Sequence, residues 1–328
     1  MTNRVMIEAR GLVKRYGDFT AVKEIDLEVK EGEIFGFLGP NGAGKSTTIK
    51  MLTTISRLTD GLARVAGHDV TRETDEVRSS LGIVFQDPTL DIGLTAWENL
   101  YLHGLLYGLS RTEIRERADA VLAMMELQER RKDLVKTFSG GMKRRLEIAR
   151  GLMHRPKVLF LDEPTVGLDP QTRARIWDYV KSLRDENGLT IFMTTHYMDE
   201  AEHCDRIAIM DQGEIIALDT PDNLKRSVGN DVITLQTADD AQAIAALSSN
   251  FSITARSVQG GVQFDAEDGE TFLPQLLARN LFHVTSLNLR KPTLDDVFML
   301  LTGRTIREED LGARDQMREA FRQRGNRR

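Results

Sequence analysis

Apolar and polar residues alternate along Met6–Leu12 and Ile25–Lys30, the signature of strands with one buried face. The next apolar run, Ile34–Leu38, is continuous and leads into a glycine-rich stretch, behind which Lys45–Thr54 has helical spacing. Between Trp97 and Arg131 the period lengthens to that of helices, with charges on one side and Leu, Ala and Met on the other. Ser139 is suited to cap a helix running to about Met153. Val158–Leu161, Thr190–Thr194 and Ile207–Met210 are short continuous apolar runs, as expected of strands buried in a parallel sheet. Strands alternating with helices predict an α/β domain over residues 1–226, with a helical subdomain at about 87–155.

A second pattern follows. Val232–Gln236, Ser252–Arg256, Val262–Phe264 and Phe282–Leu289 read as strands. Asp240–Leu247 and a segment capped by Asp268 and ending near Arg279 read as helices, and Leu294–Leu301 as a short closing helix. The order β-α-β-β-α-β predicts a small α+β domain of ferredoxin-like type over residues 230–303. Residues 304–328 form a charged tail with eight Arg against five acidic residues. It reads as a solvated helix or an irregular end, with binding to acidic lipid headgroups as the alternative.

The totals narrow the possibilities. A length of 328 residues accommodates two domains, and 41% hydrophobic with 29% charged residues is ordinary for a globular protein. A net charge of −6 argues against nucleic acid as a partner, because a domain-wide basic footprint is missing. A single cysteine, Cys204, excludes an internal disulfide framework and fits a reducing compartment. No apolar run reaches the roughly 18 to 20 residues that cross a bilayer, and Met1–Ile7 carries no secretory core. The chain therefore reads as soluble and cytoplasmic, with any membrane association supplied by a partner.

Candidate chemistry sits where strands end. Gly39, Pro40, Asn41, Gly42, Ala43, Gly44, Lys45 and Ser46 satisfy G-x-x-x-x-G-K-[ST] between a strand and a helix, with Thr47 next. Glycines let successive N–H groups turn toward phosphates, Lys45 supplies a cation, and Ser46 supplies an oxygen for Mg²⁺. Val158–Leu161 delivers Asp162 and Glu163 to a strand end. Asp162 suits Mg²⁺ and Glu163 the general base that polarises an attacking water. Phe138-Ser139-Gly140-Gly141-Met142 opens a helix with a second anion-binding nest, although in isolation it reads equally as a capped turn.

Taken together, residues 5–225 resemble the nucleotide-binding subunit of ATP-binding-cassette (ABC) transporters. The resemblance rests on residues 39–47, Gln86, Phe138–Met142, Asp162-Glu163, Gly167-Leu168-Asp169 and His196. It implies a P-loop ATPase with a mixed sheet core, an antiparallel β subdomain and a helical subdomain. It also implies MgATP clamped between two copies of the chain. By that similarity Ser139, Gly140 and Gly141 face the γ-phosphate held by the opposite protomer, and Asp169 lies at the dimer interface. His196 contacts the γ-phosphate, and Gln86 links the Mg²⁺ and water site to the segment that docks on the membrane partner. Tyr16 resembles the aromatic that stacks on adenine, though a lone tyrosine is also an ordinary strand residue. Leucine and glutamine usually flank Ser-Gly-Gly in the family; here those positions hold Phe138 and Met142. Thr194–Glu202 and Pro292–Phe298 resemble the daunorubicin-resistance group, in which the permease is a separate polypeptide. That implies a homodimer, peripheral on the inner face of the cell membrane, powering export of a drug-like or other hydrophobic compound. The competing readings are a soluble ABC-type ATPase acting on nucleic acid or ribosomes and a regulatory module that binds ATP without turnover.

Overall fold

The computed structural model describes residues 4–303, so the charged tail lies outside the described residues. The described chain divides into two compact units, the first ending at Thr220 and the second starting at Pro221.

The first unit runs β1 Val5–Tyr16, β2 Phe19–Lys30, β3 Ile34–Leu38, α1 Lys45–Leu52, β4 Asp60–Val65, β5 His68–Asp69, α2 Thr74–Ser80 and β6 Leu81–Val84. It continues with α3 Ala96–Leu106, α4 Arg111–Met124, α5 Gly140–Leu152, β7 Val158–Asp162, α6 Pro170–Asn187, β8 Thr190–Thr195, α7 Met198–Ala201, β9 Arg206–Asp211 and β10 Glu214–Asp219. One sheet, β2-β1-β4-β5, is antiparallel, and its alternating burial follows the alternation in the sequence. The other has the order β10-β9-β3-β8-β7-β6, parallel except for β10 at its edge. Strands β3, β7 and β8 are buried at every position, which is why they read as unbroken apolar runs.

A core of β1 and β2 side chains, α1 and one face of the parallel sheet is built round Phe35, Phe37, Phe160 and Phe192. The ring of Phe192 lies 5.0 to 5.5 Å from the other three. Such aromatic contacts add about 0.5–1.5 kcal/mol each to the burial of the rings, so they stiffen the strands that carry the chemistry. Because the central strands are parallel, their C-terminal ends share one edge, where ligands bind in open α/β sheets. The helical stretch after β6 breaks at Gly108, whose φ is 70°. Both α3 and α4 start with capping boxes, Thr95 with Glu98 and Ser110 with Glu113.

The second unit comprises α8 Pro221–Val228, β11 Asp231–Thr237, α9 Asp240–Phe251, β12 Arg256–Val258, β13 Gly261–Ala266, α10 Gly269–Ala278, β14 Val284–Arg290 and α11 Leu294–Thr302. Its sheet order, β14-β11-β13-β12, is antiparallel throughout and is that of a ferredoxin-like sandwich. Ile233, Leu235, Val262 and Phe264 pack beneath Ala243 and Leu247 of α9 and Leu273 and Leu276 of α10. The strand expected at Ser252–Arg256 lies instead at Arg256–Val258. Helix α9 runs on to Phe251, Ser252 ends it in the left-handed region at φ 56°, and the strand begins only at Arg256. Likewise the last strand starts at Val284, leaving Phe282 to pack on the core from a loop.

Among the described residues no helix is long and apolar enough to cross a membrane.

Candidate active site

The glycine-rich loop joins β3 to α1, and its glycines answer specific crowding. A Cβ on Gly39 would fall 2.2 Å from the Met210 carbonyl oxygen of β9, so no side chain fits there. Gly44 caps α1 with φ 108°, a region L-residues rarely adopt. The Lys45 side chain is 4% exposed. Its Nζ donates to the Gly39 carbonyl at 2.7 Å and the Pro40 carbonyl at 3.0 Å, and lies 3.5 Å from Glu163 Oε1. A phosphate entering the loop would compete with these partners for the ammonium.

Asp162 ends β7. Its Oδ1 accepts from Ser46 Oγ at 3.1 Å and from Thr194 Oγ1 at 2.6 Å. The Glu163 N–H donates to the carbonyl and to Oγ1 of Thr194, at 3.2 and 3.0 Å. Thr194 therefore ties both acidic residues to β8. A threonine in an apolar strand looks in sequence like an ordinary β-former; what marks Thr194 is a hydroxyl at a fully buried position. Glu163 itself adopts φ 47°, a left-handed turn costly for a non-glycine and typical of functional positions. That turn brings its carboxylate to Lys45 and to within 3.4 Å of His196 Nδ1. Burial pushes the Glu163 carboxyl pKa up, but the His196 ring and the Lys45 ammonium outweigh burial and hold it below the usual glutamate value. It is thus ionised at neutral pH, as a proton acceptor must be.

The His196 ring lies 4.1 Å from that of Tyr197, tilted by 43°, and the Arg173 guanidinium lies over the Tyr197 ring at 4.3 Å. The buried Glu200 carboxylate accepts from Thr195 Oγ1 at 2.6 Å and from Thr165 Oγ1, tying the residue before His196 to the loop after Glu163.

The other predicted residues stand apart from this cluster. Gln86 is exposed two residues beyond β6 and makes no hydrogen bond to Ser46 or Asp162. Tyr16 is exposed at the end of β1, with Lys14 Nζ 4.8 Å from its ring centre. Ser139 caps α5 by accepting from the Met142 N–H at 3.3 Å; Ser139 and Gly140 face solvent. Gly141 permits close approach: a Cβ there would meet Thr172 Cγ2 at 2.4 Å. Asp169 caps α6 through the Thr172 N–H at 3.0 Å and Thr172 Oγ1 at 2.6 Å, which hold its carboxyl pKa below the usual aspartate range.

Among the described residues no group of three or more His, Cys, Asp or Glu could hold a metal by itself. Mg²⁺ takes one or two protein oxygens and fills its shell with phosphates and water. Ser46 Oγ and Asp162 Oδ1, 3.1 Å apart, could supply such oxygens.

Comparison with known proteins agrees with this geometry. Residues 22–166 match the family model described as ABC transporter, and residues 220–302 match that of the ATP-binding protein DrrA1-3-like C-terminal domain. The chain is 43% identical to the linearmycin resistance ATP-binding protein LnrL of Bacillus subtilis, over 92% of this chain and 100% of the relative. It is 44% identical to the daunorubicin/doxorubicin resistance ATP-binding protein DrrA of Streptomyces peucetius, over 90% and 92%. Among solved structures, CbiO1 of Clostridium perfringens, part of an ABC transporter complex, superposes with TM-score 0.64 at 28% identity, over 76% of this chain and 96% of that one. An ATP-binding cassette solved as a dimer in a post-hydrolysis state with ADP and Pi gives TM-score 0.60 at 31% identity, over 66% and 98%.

Proposed function

The chain belongs to the ATP-binding subunits of ABC transporters, in the daunorubicin-resistance branch that carries a DrrA-like C-terminal domain, and we propose that it works as a homodimer driving a separate membrane permease. It is an ATPase and uses ATP with Mg²⁺. The cargo is a drug-like or other hydrophobic compound moved outward, a reading supported by the linearmycin, daunorubicin and doxorubicin resistance in its relatives' names. The protein then works peripherally on the inner face of the cell membrane.

One observation carries the dimeric mechanism. The cluster of buried Lys45, Asp162 and Glu163 with half-buried His196 has a phosphate loop of its own, yet the same chain exposes a second helix start at Ser139 and Gly140 that suits an anion. An exposed nest is available to a nucleotide bound by another copy. In this mechanism residues Gly39–Thr47 bind the phosphates, and Lys45 leaves its loop carbonyls to pair with them. Ser46 and Asp162, with Gln86, would hold Mg²⁺, which when bound would supply positive charge to offset that of the phosphates. Glu163 accepts a proton from the attacking water, and His196 contacts the γ-phosphate. Tyr16 stacks on the adenine. Ser139, Gly140 and Gly141 close on the partner's γ-phosphate with Asp169 beside them, so loss of that phosphate reopens the pair. Leu102, Leu105 and Leu106 of α3, together with Ile92, are exposed apolar residues beyond Gln86 and support a permease contact there.

The test is Glu163→Gln. It should bind ATP, turn over about 10²–10⁴-fold more slowly, as loss of a general base does, and accumulate as an ATP-held dimer. A Glu163→Gln protein that stays monomeric and hydrolyses ATP normally would sink the assignment.

A further inference from the structure

Helix α5 carries three cations in a row, Lys143, Arg144 and Arg145, and one of them turns inward. The Arg144 side chain is 7% exposed. Its Nε donates to the Pro164 carbonyl at 2.6 Å, Nη1 to the Phe85 carbonyl at 2.5 Å, and Nη2 to the Asp162 carbonyl at 3.1 Å. Nη1 also donates to Glu147 Oε2 at 3.1 Å, and the other Glu147 oxygen accepts from the Thr89 N–H at 2.8 Å. One turn further, Arg150 Nη1 donates to the Thr89 carbonyl at 2.8 Å.

The carbonyls chosen by Arg144 are informative. Asp162 and Pro164 flank Glu163, and Phe85 directly precedes Gln86. Phe85 and Thr89, both held from α5, bracket the exposed segment that contains Gln86. A planar guanidinium offers five donors in fixed directions, so a displacement of α5 is transmitted to both loops at once. The same helix is capped by Ser139, the exposed end proposed above to meet a second copy.

We infer that Arg144 is a positioning residue: through the carbonyls of Phe85, Asp162 and Pro164 it couples the Ser139 end of α5 to Gln86 and Glu163 of its own chain. Engagement of the nest by one nucleotide thereby adjusts the groups that hydrolyse the other, and the two sites of a dimer communicate through one side chain per protomer. This rests on the reading of Glu163 as the general base and of Ser139–Gly141 as the partner-facing nest.

The test uses the full chain and compares Arg144→Met, Arg144→Lys and the parent in ATPase assays across MgATP concentration. R144M should lose about tenfold or more in kcat while its KM for ATP stays within about twofold, the split expected when a transition-state arrangement rather than ground-state binding is damaged. R144K, with one ammonium for three carbonyls, should recover part of kcat. In a Glu163→Gln background, R144M should still form the ATP-held dimer, because Ser139–Gly141 is untouched. A parental kcat in R144M, or a KM that rises in step with the loss of kcat, overturns the inference. If R144M shows no cooperative melting transition, R144K decides: parental kcat overturns the inference, and reduced kcat at parental KM supports it. Failure of the underlying reading would show separately, as normal turnover in Glu163→Gln alone.

Discussion

Gly141→Ala tests how closely the two helices behind the Ser139 nest approach. The new Cβ would start 2.4 Å from Thr172 Cγ2, whereas carbon atoms settle at about 3.5–4.0 Å. Something must move by about an ångström, and overpacking of that kind costs about 1–3 kcal/mol. Rotating Thr172 relieves the clash but takes its hydroxyl off Asp169 Oδ2, loosening the cap of α6 at a cost of about 1 kcal/mol. Alanine is a better helix former than glycine by up to about 1 kcal/mol, so the net loss is about 1–2 kcal/mol. In a unit of this size that lowers Tm by about 2–8 °C. Thermal melts of the parent, G141A, T172S and the double variant form the assay. T172S removes the offending methyl and keeps the capping hydroxyl, so the double variant should melt near T172S alone. Its ATPase activity should stay low, because the added methyl still crowds the nest. Strict additivity of the two substitutions, or a G141A protein as stable as the parent, would refute the reasoning.

Acid should destabilise the protein before carboxylates protonate. Burial, reinforced by the Arg150 charge, pulls the His103 pKa down to about 4, and its Nε2 has no hydrogen-bond partner. The unfolded chain takes that proton near pH 6.5, so stability present above pH 6.5 is lost as pH falls toward 4, by at most about 3 kcal/mol. His154 and His203, also held neutral chiefly by burial, act with the same sign. Melts of His103→Gln should therefore fall less between pH 6.5 and 4 than those of the parent, and an equal fall would remove His103 from the account. Cys204 is buried against Gly36, and burial drives its thiol far above the ordinary range. Iodoacetamide at pH 8 should leave it unlabelled in native protein and alkylate it in denaturant, with rapid native labelling as the contrary result.

Much of the site was legible because its chemistry demands residue types at fixed offsets from strand ends. Lys45, Ser46, Asp162, Glu163 and His196 meet in space because their strands are parallel neighbours ending at one edge. Thr194 and Arg144 were not legible for a common reason. Each looks like the ordinary residue of its element, a β-former in a strand and one basic residue among three on a helix, and only packing shows which is turned inward. Gln86 was named from a motif, yet its side chain is exposed and unengaged, since a sequence encodes the residue and not the state in which it acts. The misjudged strand at Ser252–Arg256 has a local cause. Ile253 and Thr254 favour extended chain, but the apolar stripe through Leu247 to Phe251 carries α9 one turn further and displaces the strand.

The order of strands has a consequence for how the protein is made. Strand β3, which launches the phosphate loop, is bordered by β8 and β9 and by neither of the strands that precede it. On a ribosome adding about 5–20 residues per second, those borders emerge about 150 residues after β3, roughly 10–30 s later. Until then Phe35 and Phe37 have no sheet to join, and Gly39 has no Met210 carbonyl to close against. A nascent chain stopped short of Asp211 is therefore an unfinished nucleotide site with an aromatic strand in water, a natural client for chaperones. ATP can hold the cassette together only once its last central strand has arrived.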